Sequence, residues 1–551
     1  MSRSSVPKAF RGYGCPSIFD VELNDVDLEQ VLPALFFRVR SRGGDFRASK
    51  GEDTLEPYLD AMVANDELLV GFGDEAKRTA LEAWLRTAVV KLGTRGRRHE
   101  GEKIQFVRPL HYLTSKALFR STAYRRLHQF LYNVLLRRVA DQGVFSKEAY
   151  LHDLFARAFG QGVEYGPGPS FDGHYVGHDR LDAEQVLCLV LLEHVPPAHT
   201  RPSRKRPEPA SLPWLTEQMA DDLLLFLETY GGQLPAKALV AQFLALLSLY
   251  LNTYTRTLLK LAPEALERST WPTDTARPDP IYCDFVGQSE HLSNRMAREC
   301  VDRDLSAVHK LVELFFSVRV LERFAHRHAR QVEALRDQGQ PQYLSALLAL
   351  RERADLDLWA SYALEEISGE GEVSGEVEEQ SSFQQLVQYL NAEQGAKART
   401  NAVRWLRDVS GMNREFGCLV GNARGPRRWY YTLQRTALSA VVHLACVACK
   451  HRWTPKVQPA PEPVRLLDLV EFLRERFGML VADVPYWLDS TRARAAAAEN
   501  FEVFKQRLRQ MGFFTDLSDD FTAQFVTVPG ATSPTLQRAA GISSSNVPQE
   551  L

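Results

Sequence analysis

Along most of this chain, apolar residues recur three and four positions apart, the spacing that lays one stripe along an α-helix. From residue 114 to 140 the stripe is Leu118, Tyr124, Leu127, Leu131, Leu135 and Val139. The same spacing predicts helices over 182–193, 216–230, 235–261, 289–330, 343–365, 383–409, 432–453 and 466–477. Strand-like alternation is confined to 17–21, 67–72, 103–107, 479–482 and 524–528. A chain of this pattern folds as a mainly α protein with few short strands. No repeat of fixed period is visible, which argues against a solenoid. At 551 residues and 45% hydrophobic composition, several helical domains or one long helical assembly are expected, each with a core of its own.

The most apolar run, 238–251, is 14 residues long and carries Gln242, too short to cross a bilayer, so no membrane partner is expected. The opening MSRSSVPKAFRGYG lacks the apolar core of a signal peptide, and seven cysteines are neither a disulfide framework nor an even set. Both point to the cytoplasm and reduced thiols.

Composition shifts divide the chain. Residues 1–195 read as an N-terminal, mostly helical domain with short strands, and 196–213 as a linker with six prolines and the basic run Arg201-Pro-Ser-Arg-Lys-Arg206. A central helical domain follows over 214–364. Residues 365–382 read as a mobile acidic loop, with seven Glu and no base between positions 365 and 379. A helical domain over 383–454, a proline-rich break at 455–463, a module over 464–529 and a disordered tail over 530–551 complete the order.

Motifs that bring backbone N–H groups or a nucleophile to a substrate are missing: there is no GxxxxGK[ST], no GxGxxG after a strand, no GxSxG and no HExxH. No cofactor is expected. Three small clusters could hold a metal. Cys446 and Cys449 stand three apart, with Cys418 as a further thiol, but Cys beside Ala and Val on an apolar helix reads as packing. Asp172, His174, His178 and Asp179 lie in a glycine-rich loop, where the simpler reading is that Asp179 or Asp182 caps the next helix. Glu75-Ala-Lys77 has the spacing of a nuclease pair, yet falls where a helix starts after Asp74.

The charge is the more informative signal. Lys plus Arg is 67 against 69 for Asp plus Glu, a net −2. The seven Glu of 365–379 set against that figure leave +5 elsewhere. Between 424 and 461 seven bases (Arg424, Arg427, Arg428, Arg435, Lys450, Arg452 and Lys456) meet no acid, and Trp429, Tyr430 and Tyr431 follow the Arg-rich turn directly. Such a patch suits nucleic acid, by phosphate neutralisation with aromatic stacking, or an acidic protein surface. Downstream, Leu466–Phe477 is an amphipathic helix stopped by Gly478, a second helix runs from 495 to 511, and 513–528 suits a hairpin. Helix, helix and small β element is the order of a winged-helix domain. Its second helix would turn Phe501, Phe504, Leu508 and Met511 inward and present Lys505, Arg507 and Arg509 to DNA. Winged helices also dock proteins. The acidic loop could mask the basic patch as a DNA mimic.

The run Gly417-Cys-Leu-Val-Gly421, the Arg-Arg-Trp-Tyr turn, FLRERFGMLV and RLRQMGFFTDLSDDFTAQFV resemble the C-terminal half of accessory proteins of bacterial anti-phage operons. Ile281-Tyr-Cys-Asp-Phe285 before a long helix, and the apolar helix around Leu246-Leu-Ser-Leu-Tyr-Leu-Asn-Thr-Tyr254, add to the likeness. The family is the DptG-type component of phosphorothioation-dependent restriction and its counterpart in methylation-associated defence systems. The resemblance implies a non-catalytic adaptor, working beside ATPase and nuclease subunits and binding DNA, those subunits, or both. Two other readings stand beside it: a metal-dependent nuclease subunit using Asp172, His174, His178 and Asp179, and a scaffold that touches only proteins.

Overall fold

A computed structural model describes residues 6, 10–49, 53–64, 69, 71–93, 102–119, 124–165, 173–176, 180–203, 210–272, 277–337, 339–368, 380–422, 425–514 and 524–528. Among the described residues it is mainly helical, with strands of two to five residues that form two-stranded sheets. Of the expected segments, 369–379 of the acidic loop and the tail beyond 528 lie outside the described residues.

Two long helices form the centre. Ala236–Arg268 packs along Leu292–His328; Ser382–Val409 lies against the second of these and Arg435–Ala448 against the first. The Ala236–Arg268 helix is long and apolar enough to span a bilayer by length and composition, with a best window of mean hydropathy 1.3, but 89% of that window is buried inside the protein. Several of its polar side chains are bonded in place, although Gln242 Oε1 and Asn252 Oδ1 are buried with no hydrogen-bond partner among the described residues. Thr253, Thr255 and Thr257 each donate to the carbonyl four residues back at 2.8 Å, Ser248 donates to the Val409 carbonyl at 2.7 Å, and Asn252 donates to Ser410 Oγ at 2.8 Å. A buried polar group without a partner would cost about 1–3 kcal/mol, so these bonds make a Thr-rich stretch tolerable at the core.

Two expected helices are interrupted. The stripe over 114–140 becomes a 3-10 turn at Tyr112–Lys116 and a helix only at Leu127–Asp141. Arg125 and Arg126 sit between them at φ 44° and 64°, left-handed values that no α-helix can run through. The stretch over 343–365 divides at extended Arg353 into Gln340–Ala349 and Ala354–Ser368. The strand expected at 17–21 is irregular. Phe19 there stacks on Tyr254 at 4.5 Å and meets Phe130 and Trp405 edge-on, so its apolarity serves as a plug in the core. Lys103–Val107 is a strand, paired antiparallel with Val90–Gly93. The described residues of 67–72 belong to no strand.

Leu466–Phe477 ends at Gly478, whose φ of +65° suits glycine and whose Cβ would press on Pro278 at 3.3 Å. Directly after it, Met479–Leu480 pairs in parallel with Ile281–Tyr282, which precedes the second central helix. Asn500, on helix Thr491–Gln510 and fully buried, locks this seam. Its amide donates to the Cys283 and Val481 carbonyls at 2.9 and 3.0 Å, and its oxygen accepts from Phe285 N at 2.7 Å. On the other side, Val464–Arg465 pairs antiparallel with Phe525–Val526, and Val526 also bridges Phe514. One hydrophobic core runs from Val6 to Val528; a smaller one gathers residues between Leu55 and Val195.

A buried carboxylate joins the C-terminal helices to the body. Asp222, on helix Pro213–Tyr230, accepts from the Tyr250 hydroxyl and faces Arg476 at 3.5 Å. Burial outweighs the Arg476 charge and pushes the carboxyl up to about 6. A raised folded-state value means the folded chain holds this proton more tightly than the unfolded one. The associated stabilisation is complete below the ordinary aspartate range and is lost as pH rises towards 6. Asp222→Asn should therefore flatten unfolding free energy between about pH 4 and 6, removing a change on the order of 3 kcal/mol. Urea denaturation at stepped pH measures it; an unaltered slope would refute it.

Candidate nucleic-acid interface

The Arg-rich turn is built on buried aromatics. Pro426–Arg428 forms a 3-10 turn, and the strand after it, Tyr430–Tyr431, pairs antiparallel with Leu419–Val420. Trp429 is buried and its Nε1 donates to the Asn422 carbonyl at 2.6 Å. Asn413 closes the loop with two bonds to the Gly421 backbone, at 2.7 and 3.1 Å. Tyr431 is fully buried and donates to Asp304 Oδ2 at 2.8 Å. The expectation of a stacking platform is therefore corrected at Trp429 and Tyr431: they anchor the turn and show no free face, and only Tyr430 is half exposed.

Arg427 and Arg428 stand exposed on this braced turn, as does Arg435 at the first position of helix Arg435–Ala448. None of the three has an ion-pair partner among the described residues; Arg424 lies outside them. The other bases of the run are elsewhere. Lys450, Arg452 and Lys456 follow the far end of that helix, about 20 Å away at 1.5 Å per residue. Lys450 pairs there with Glu462, as does His451 at 3.6 Å. The six described bases form two surfaces, not one.

In the C-terminal module Lys505 corrects its expectation. Its side chain is 6% exposed, paired to Glu502 at 2.6 Å and lying 5.3 Å from the Phe501 ring. Arg507 is half-buried over Phe285 and Arg509 exposed over Phe514. The outer face of Thr491–Gln510 is mixed: Glu499 and Glu502 share it with Arg492, Arg494 and Arg509, and Arg494 is paired to Asp489.

A second basic feature went unread in the sequence. Helix Ser382–Val409 and the Arg-rich turn enclose a trough floored by Ala396, Thr400 and Val403. Arg399, Arg404 and Arg407 rise around it, with Pro426 and Trp429 as the opposite wall and no acidic residue in the lining. Arg407 is held by Asp408 at 2.6 and 3.0 Å, Arg399 donates to Asn391 Oδ1 at 3.0 Å, and Arg404 is exposed without an ion-pair partner among the described residues. Arginines five and three apart on a helix were a readable signal; their nearness to residues 425–429 was not.

The metal candidates do not converge among the described residues, where no three His, Cys, Asp or Glu side chains are placed to hold a metal ion. Cys446 is buried, its thiol facing the Val526 carbonyl at 3.9 Å; burial pushes it up to about 12, and pushes Cys449 up to about 11. Cys418 is also buried. His174 lies on strand Gly173–Tyr175, opposite Glu164, with its side chain outside the described residues, as are Asp172, His178 and Asp179 altogether. Asp182 caps helix Ala183–His194 in a capping box with Gln185. Asp74 likewise caps the helix that begins with Glu75, accepting from Lys77 N at 2.9 Å.

Fold and surface define a mainly helical, multi-domain protein that holds exposed arginines on a rigid turn. A family model described as methylation-associated defense system protein MAD7 matches residues 8–529, and the chain belongs to that family. The match covers both halves of the chain. It is a methylation-associated defence protein. No curated protein and no solved structure matches it.

Proposed function

We propose that this chain is an adaptor of its defence system, a non-catalytic cytoplasmic subunit that binds DNA and seats a partner ATPase or nuclease of the same operon. The observation that carries the reading is the Arg427–Arg428 turn. It is exposed, braced from beneath by Trp429 and Tyr431, and unneutralised by any described acid. Ordering two arginines in advance removes part of the entropy that a phosphate contact would otherwise cost. The C-terminal module supports it too. Helix Arg435–Ala448, strand Val464–Arg465, helices Leu466–Phe477 and Thr491–Gln510, then Phe514 and Phe525–Val526 follow the element order of a winged helix, with the last strand between the other two. The likeness to DptG-type components agrees with the adaptor role.

A gel-shift series from 50 to 200 mM salt tests this. Binding should weaken steeply with salt, and Arg427→Glu with Arg428→Glu should weaken it about tenfold at constant helix content. If the wild-type chain leaves DNA unshifted at 50 mM salt and co-purifies with no partner from its host, the adaptor reading is wrong.

A further inference from the structure

We propose that the trough along helix Ser382–Val409 is a second binding site, one that takes the phosphodiester backbone of a nucleic acid, with Arg399 and Arg404 as its phosphate contacts. The proposal rests on the DNA-binding reading above and extends it to residues outside the Arg424–Lys456 run.

The helix geometry makes the trough. At 100° per residue, Ala396, Thr400 and Val403 fall within about 60° of one another and form the floor. Arg399 flanks that line on one side and Arg404 on the other. Small side chains on the floor leave the two guanidinium groups standing above it, and the turn at 425–429 closes the second wall. Asp408 already occupies the Arg407 guanidinium, so the uncompensated charge comes from Arg399 and Arg404, with Arg427 and Arg428 on the adjoining turn. From Arg399 to Arg407 the helix axis advances about 12 Å, the length over which one strand of B-DNA presents three to four phosphates.

Two features favour nucleic acid over an acidic protein. Every cation here is arginine, whose planar fork meets a phosphate with two parallel bonds where lysine offers a point charge. The floor is made of small side chains, and the one large apolar residue of the lining, Trp429, is buried. Protein interfaces draw most of their affinity from buried aromatic or aliphatic anchors fitting pockets, and Ala, Thr and Val offer little of that kind. A strand held by its phosphates needs no such anchor.

Fluorescence anisotropy of the full chain with a labelled 20-nucleotide single strand, and with the duplex of the same sequence, tests the site across 50–200 mM KCl. Arg399→Gln with Arg404→Gln should lower affinity about tenfold. It should also shrink the log–log salt slope by about 1.4 on the single strand or about 1.8 on the duplex. The probe that loses more identifies which form the trough holds. Arg404→Gln alone, at an exposed position, should give half the slope change. Arg268→Gln, at an exposed ion pair with Glu264, should change neither quantity. If the wild type binds and the double variant keeps its slope, the trough is not a phosphate site, while the Arg427–Arg428 reading stands. If the wild type binds neither probe at 50 mM KCl, the trough proposal and the DNA-binding reading fall together. Release of a co-purifying acidic protein by the double variant would then reassign the trough to protein docking.

Discussion

Replacing Asn500 with Leu should destabilise the protein by about 4 kcal/mol, although the two side chains have the same number of heavy atoms and the same branch point. Asn500 bonds three backbone groups from two distant segments: the Cys283 carbonyl and Phe285 N–H beside the second central helix, and the Val481 carbonyl after Gly478. Leu would fill the space and leave two carbonyls and one N–H buried with no partner, at about 1–3 kcal/mol each. Equilibrium unfolding in urea reads the total. Amide exchange should show the seam between Ile281–Tyr282 and Met479–Leu480 opening first. A loss below about 1 kcal/mol would mean that packing, and not this amide, holds the C-terminal module in place.

The second large effect is expected at Arg256. It is 2% exposed on the first central helix, where Nε reaches Asp304 Oδ2 at 3.2 Å and Nη1 donates to the Phe477 carbonyl at 3.2 Å. Nη2 donates to the Asp279 carbonyl, and the guanidinium lies 5.8 Å from the Tyr431 ring. Burial raises the Asp304 carboxyl even beside this cation, a sign that desolvation outweighs the pair. Arg256→Met should cost about 3 kcal/mol, because it strands a largely buried carboxylate and two carbonyls. Asp304→Asn added to it should recover part of that loss, since no unpaired charge would remain. The coupling term of the double-mutant cycle is the measurement. Strict additivity would show that Arg256 acts through its carbonyl bonds and not through Asp304.

The position of Arg256 also explains the aromatic misreading. Tyr431 bonds the same Asp304 oxygen, so the residues after the Arg-rich turn belong to this buried network. Aromatics beside arginines in a sequence are consistent with either stacking or anchoring. What decides between them is a carboxylate more than a hundred positions earlier, which no local window contains.

Features set by short-range chemistry were readable. Leu466–Phe477 and its Gly478 stop, the Asp182 cap and the Lys103–Val107 strand each depend on residues within one turn or one strand. Lys505 could have been placed correctly: with Phe501, Phe504 and Leu508 it completes a one-four-five-eight stripe, which is an inward face. The break between Lys116 and Leu127 could not be read, because the same apolar spacing serves a helix or an irregular plug. The left-handed turn at Arg125 and Arg126 comes from the tertiary setting. The trough was hidden for a related reason. Helix Ser382–Val409 read as amphipathic, and only its meeting with the 425–429 turn makes its arginines a surface.

The parallel pairing of Ile281–Tyr282 with Met479–Leu480 also bears on how the protein is made. The first strand leaves the ribosome nearly 200 residues before its partner, a wait of about 10–40 s at ordinary elongation rates. During that interval the edge of Ile281–Tyr282, and the core face that Asn500 will seal, stay open to chaperones and proteases. A chain truncated before Met479 never closes them.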